Sequence, residues 1–362
     1  MEAGGAAFRS QSSSGLSKLE RFMSCIELSG PDRVEFSPEL NRLTRMGSSS
    51  ELEISNADRV RNHLDSGDYP SASRYLAYLH EMDTHMIAAL TEWCIHWQRF
   101  VEDRIPSLES DIKLAASELW KKNIGKNELQ FITLLAIDEV LNCSTEDIQE
   151  ADRIKRAQST ILSQLVAKFS EISSALSSVD PRCKALYEDY LLAVRACHDL
   201  LANYCSCIST CVLRQSGQQT AEEGIRASFE SCSFHKPTWA MFSALKPELL
   251  AVVLAEHLRA HFSGPGRDGA VKIVEEVDRF RILMEPCGSG GAMRRAQSGG
   301  AMGKFEGPSS ATWGLSGVPA YCAHCALNEK YSRTHYGRAL WETEFNPDSS
   351  KPCCWSISKG RK

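Results

Sequence analysis

Between Tyr75 and Val101 the residues Leu76, Leu79, Met82, Met86, Leu90, Trp93, Trp97 and Phe100 recur every three or four positions. Side chains at that spacing share one face of an α-helix, so the segment is a long amphipathic helix with a wide apolar stripe. Such a stripe must pack against other helices. Helical patterns follow at Leu108–Lys122, Glu128–Leu141, Asp147–Ser177 and Lys184–Arg214, separated by Pro106, Gly125 and Pro181. Ser144-Thr145-Glu146-Asp147 supplies an N-cap for the fourth of these. Short links between long helices favour antiparallel neighbours, so the pattern predicts a helical bundle.

The pattern changes after residue 235. Pro247 opens a helix that runs to about His261, where Gly264-Pro265-Gly266 ends it. Val271–Met284 then reads as strand, with a hairpin near Val277-Asp278. Gly and Ser dominate from Gly288 to Ser316, which reads as a long loop. A short helix from Cys322 to Tyr331 and strands near Ala339–Phe345 and Cys354–Ser358 complete the region. The expected fold class is mostly α: a helical bundle over 55–235 followed by a small α+β, cysteine-rich domain over 236–362. Residues 1–54, rich in Ser and Gly, read as a disordered tail with a short helix over Leu16–Ile26.

Charge and composition narrow the partners. A net charge of -5 argues against a nucleic-acid-coating surface. No stretch approaches the ~18 apolar residues of a membrane span, and the N-terminus lacks the apolar core of a secretory leader. The expected location is the cytoplasm, although Arg9, Lys18 and Arg21 in the Ser-rich tail also fit an organellar transit segment. In a reducing compartment the 14 cysteines are thiols or metal ligands rather than a disulfide framework.

Those thiols concentrate in the last quarter of the chain. Cys322 and Cys325 form a Cys-x-x-Cys pair, whose tight turn lets two sulfurs face one ion. Cys287 ends one predicted strand and Cys353 or Cys354 begins another, so adjacent strand ends can bring the remaining donors to that pair. The expectation is a site of Cys287, Cys322, Cys325 and Cys353, with zinc the favoured ion. An iron–sulfur cluster is the lesser alternative, because the spacing matches no cluster signature. His257 and His261 lie four apart on the apolar side of the Pro247 helix, a spacing that allows two imidazoles to share an ion and to leave an open coordination position.

A rival reading makes Cys287 a nucleophile, with the following Gly288, Ser289 and Gly290 supplying backbone N–H groups and His324 or His335 acting as base. Asp83 sits in the middle of the first helix's apolar stripe, where a carboxylate is costly unless it meets His80, an arginine or a ligand. His85 and His96 on the same helix read as surface or boundary residues, and Cys197 and Cys205 as core. The basic pair Arg294-Arg295 reads as part of a solvated loop.

These features describe an intracellular metal-binding protein with a ligand or catalytic pocket between bundle and cysteine domain. Its chemistry, if it is an enzyme, is of the hydrolase or lyase type, since no dinucleotide-binding fingerprint is present. The partner is a small molecule or another protein. The competing classes are an interaction module stapled by structural zinc and a cysteine-nucleophile enzyme using Cys287.

Overall fold

The computed structural model describes residues 34–37, 42–45, 54–123, 149–296 and 302–360. The chain is mostly α, with a small antiparallel sheet near its C-terminal end. Strands β1 (Val34–Ser37) and β2 (Arg42–Arg45) pair as an antiparallel hairpin inside the segment expected to be a disordered tail. Alternating apolar and polar residues on both sides of Pro38 account for it. The expected helices Leu16–Ile26 and Glu128–Leu141 lie outside the described residues, as does the Ser144 cap.

The helices are α1 (Asn56–Ser66), α2 (Tyr69–Arg104), α3 (Glu109–Asn123), α4 (Glu150–Ser177), α5 (Cys183–Ser231), α6 (His235–Ala244) and α7 (Pro247–Arg259). Asp68 caps α2 by accepting a hydrogen bond from the Ser71 N–H, and a proline sits in its first turn. α2 packs along α5, α4 and α1, so its apolar stripe becomes the axis of the core. Trp97 in that stripe is fully buried, as are Tyr187 and Tyr190 of α5.

α5 outruns its predicted end at Arg214 because the chain resumes its helix beyond a break at Gly217, where φ is 83° and ψ is 175°. Only glycine adopts that conformation without strain. The second half of α5 carries Phe229 to the C-terminal part of the molecule, where α6, not foreseen from the sequence, begins at once.

The C-terminal sheet has the order β3-β4-β6-β5, formed by β3 (Lys272–Glu275), β4 (Arg279–Met284), β5 (Glu342–Glu344) and β6 (Cys353–Ser358). The β3–β4 hairpin turns where the sequence placed it, and Val277 at its tip is 99% exposed. The Gly/Ser-rich stretch is less irregular than expected, because it includes the short helix α8 (Gly290–Arg295). α9 (Ala323–Tyr336) packs between the sheet and α5. One continuous cluster of buried side chains runs from Ala57 in α1 to Ile357 in β6, so bundle and sheet share a core. Among the described residues no helix is long and apolar enough to cross a membrane.

Candidate ligand cavity

The end of the bundle, the α6–α7 pair and the sheet line a cavity of about 100 Å³ that opens to solvent. Its aromatic wall comes from Trp93 of α2, Phe229 of α5, Trp239 and Phe242 of α6, Trp341 just before β5 and Trp355 in β6. Trp341 and Trp355 stack with ring centroids 5.6 Å apart and planes at 18°. Set into this surface are five imidazoles, those of His85, His235, His257, His261 and His324.

The imidazoles share a chemical state. Burial lowers the pKa of His235 to about 3, and of His257 and His324 to about 4, while His261 falls well below the ordinary value. All four are therefore neutral at pH 7, and a neutral ring has one donor and one acceptor nitrogen. The Nδ1 of His235 donates to the Phe229 carbonyl at 2.6 Å, and the Nδ1 of His324 donates to the Tyr321 carbonyl. In both rings Nε2 is then the bare acceptor. Among the described residues no hydrogen bond occupies either nitrogen of His257.

The polar atoms opposite are of the complementary kind. Trp341 and Trp355 are 3% and 6% exposed, yet among the described residues their indole Nε1–H donors have no partner. The side-chain oxygen of Asn328, on α9 and also lining the cavity, has none either. Buried donors and acceptors are nearly always paired, because each one left unmade costs about 1–3 kcal/mol. Trp93 follows that rule, since its Nε1–H donates to Ser228 Oγ at 3.0 Å.

The thiols expected to converge do come into one neighbourhood. β4 and β6 pair with Met284 opposite Cys353, so Cys287 leaves β4 close to where Cys353 enters β6. Cys322 and Cys325 lie beside them at the start of α9, and the four are near enough to perturb one another electrostatically. Burial raises the pKa of Cys322, Cys325 and Cys353, which keeps them as thiols. Among the described residues, however, no three His, Cys, Asp or Glu side chains are arranged to hold a metal ion. His257 and His261 line the cavity with Cys287 and Cys325 without completing such a group.

The nucleophile reading meets a different geometry. Cys287 and His324 line the same cavity, but the hydrogen bond to His324 Nε2 comes from the adjacent Cys325 Sγ at 3.4 Å, and the Cys287 thiol lies 3.5 Å from Ser289 Oγ. Asp83 is outside this cavity. Its carboxyl, 2% exposed, accepts a hydrogen bond from Tyr190 at 3.3 Å, and Tyr190 in turn bonds His80 Nδ1 at 3.0 Å. Burial pushes the Asp83 pKa up to about 8, so it is held as a protonated structural group.

Arg294 and Arg295 are committed rather than solvated. They donate to the carbonyls of Asn346, Pro347 and Ser349 and so pin the loop that leads into β6. His85 is a half-buried boundary residue, packed edge-on against Phe234, and also lines the cavity. His96 sits between Glu150 at 2.8 Å and Glu92 at 3.4 Å. Cys205 is core, as expected, and lies 3.3 Å from the thiol of Cys94.

The loop that carries Cys287 is held by one glycine. A Cβ on Gly288 would lie 1.8 Å from the His261 carbonyl oxygen and 2.2 Å from that of Phe262. Only a bare Cα allows the loop to lie against the end of α7, which brings Cys287 and Ser289 to the cavity wall.

Sequence reasoning missed His85, His235 and His198. The last is a fully buried residue of α5 whose Nε2 lies 3.4 Å from His261 Nδ1. A usable signal existed, because His198 falls on the same apolar face as Val194, Cys197 and Leu201. No family model matches the chain, and neither a curated protein nor a solved structure is significantly similar to it.

Proposed function

We propose that the chain binds a flat, largely apolar small molecule in the cavity between bundle and sheet, and carries out proton-transfer chemistry of the lyase or hydrolase type on it. The observation that carries this reading is the set of unpartnered polar atoms in an aromatic wall. Two indoles whose buried N–H donors have no partner among the described residues line the cavity together with neutral imidazoles that carry acceptor nitrogens. A ligand with both acceptors and donors on an aromatic frame would satisfy them, whereas water alone would leave the aromatic surface wet at a cost of ~25 cal/mol per Å². A neutral imidazole also offers a bare ring nitrogen that can accept a ligand proton.

Titration calorimetry with indole, quinoline and benzimidazole tests the reading. Saturable binding of at least one, weakened several-fold in Trp355→Phe, is the expected result. Absence of saturable binding for all three overturns it.

A second reading keeps zinc on Cys287, Cys322, Cys325 and Cys353, favoured by the approach of the four thiols across β4, β6 and α9. It requires the buried thiols to ionise and rotate toward a common point. Elemental analysis of protein purified without chelators, repeated on Cys322→Ser, decides it: one zinc per chain, lost in the variant, supports the site, and no zinc removes it.

A further inference from the structure

His261 is the cavity imidazole with the longest line of support behind it. The Arg267 guanidinium grips the Asp199 carboxylate with two hydrogen bonds of 2.6 and 2.7 Å and also donates to the Gly288 carbonyl at 2.7 Å. Arg267 does this from a left-handed backbone with φ of 56°, a conformation costly for a residue of its size. Asp199 Oδ1 lies 3.1 Å from His198 Nδ1, and His198 Nε2 lies 3.4 Å from His261 Nδ1. Four side chains thus form one chain of contacts from the edge of the protein to the cavity.

The order of protons along it follows from the first member. Hydrogen bonds from His198 and Arg267 outweigh the effect of burial and hold the Asp199 carboxyl below the usual range, so it is ionised and only accepts. His198 must then present Nδ1–H to it. In its neutral form His198 then has a bare Nε2, and the contact with His261 Nδ1 is made by a proton on the latter. The remaining nitrogen, His261 Nε2, carries a lone pair, and among the described residues no hydrogen bond occupies it.

We propose that His261 is the general base of the cavity, and that His198, Asp199 and Arg267 are positioning residues that fix its tautomer with Nε2 bare. This deepens the small-molecule reading above and rests on it. In the step, a ligand O–H or N–H bond breaks, its proton passes to His261 Nε2, and the electron pair stays on the ligand as an anion. The Nδ1–H of the new imidazolium remains on His198, and the Asp199 carboxylate offsets the charge without taking the proton, the logic of an oriented catalytic histidine. The indole rings of Trp341 and Trp355 line the same cavity. The titratable groups around His261 are His198 on α5, His257 on α7 and His324 on α9.

Two measurements test this. In the full chain labelled with ¹⁵N-histidine and without ligand, two-bond ¹H–¹⁵N spectra should show His261 protonated at Nδ1 and bare at Nε2. Asp199→Asn turns the first acceptor into an amide that can donate, so the His261 proton should move to Nε2. A wild-type His261 protonated at Nε2, or a tautomer indifferent to a folded Asp199→Asn, overturns the proposal; the wild-type spectrum stands alone if the variant fails to fold.

The second measurement compares 4-nitrophenol with 4-nitroanisole, which lacks the acidic proton. The wild type should prefer the phenol by about tenfold, and His261→Gln should abolish the preference. Equal affinity in the wild type overturns the base role alone. Binding of neither compound overturns the cavity reading and the base role with it, whatever the spectra show.

Discussion

Two buried polar regions of this protein are built from similar residues and used in opposite ways. In the bundle, Asp83, Tyr190 and His80 bond one another, and Glu92, His96, Glu150 and Ser233 form a second closed set. Each of these groups makes at least one hydrogen bond to another member of its set. In the cavity, imidazoles and indoles are buried to a similar degree, yet acceptor nitrogens and indole donors are left over. A histidine in the first setting is a strut. In the second its free nitrogen is available to a ligand.

The largest effect should follow from joining the regions badly. Gly288→Ala forces a Cβ into the His261 and Phe262 carbonyls, so the cavity wall or the end of α7 must move. A loss of about 4 kcal/mol in denaturant unfolding is expected, with loss of ligand binding. Stability unchanged within error would show that the wall is pliable and not a fixed frame.

The next effect isolates the closed set around Asp83. Its folded pKa of about 8 lies above the ordinary 3.8, so its contribution is fully present below pH ~4 and is lost as pH rises to about 8. Asp83→Asn cannot ionise. The variant should therefore gain on the wild type across that window, by on the order of 3 kcal/mol, in unfolding curves taken at pH 5, 7 and 9. Parallel pH profiles would mean that the carboxyl is already ionised and held by another partner.

His96 probes the second closed set with the opposite kind of group. Burial lowers its pKa, but hydrogen bonds to Glu150 and Glu92 prevail and raise it from 6.5 to about 9. The stabilisation is present below pH 6.5 and is lost as pH rises through 9. His96→Gln should cost about 1–2 kcal/mol at pH 6 and little at pH 10. A cost independent of pH would assign His96 to packing alone.

The smallest stability effect belongs to the cavity. Trp355→Phe removes a donor that has no partner among the described residues, so beyond the packing lost with its ring it should change stability by less than about 0.5 kcal/mol. Trp93→Phe, which breaks a bond to Ser228, should cost about 1 kcal/mol. Thermal melts of the two variants side by side test the contrast at its most direct, and equal losses would erase it.

Much of the fold was legible because it rests on local periodicity. The stripe from Leu76 to Phe100 named α2, and the β3–β4 hairpin was placed at Val277 from its pattern alone. α5 was cut short at Arg214 because nothing local shows that a helix will resume past Gly217. The site was legible in part. Cys287, His324, His257 and His261, singled out from the sequence, line one cavity, whereas Asp83 lies outside it. His198 escaped notice although the argument applied to Asp83, a polar residue in an apolar stripe, applied to it equally.

The sequence by itself determined which faces must be buried, because apolar spacing, proline and glycine act within a few residues. It also determined that thiols and imidazoles would crowd the C-terminal part of the chain. Only the tertiary structure decided which of them spend their hydrogen bonds on each other. That outcome depends on residues far apart in the chain, as when Arg267 meets Asp199 and His198 meets His261. A donor is satisfied or orphaned only by what the fold sets within about 3 Å of it.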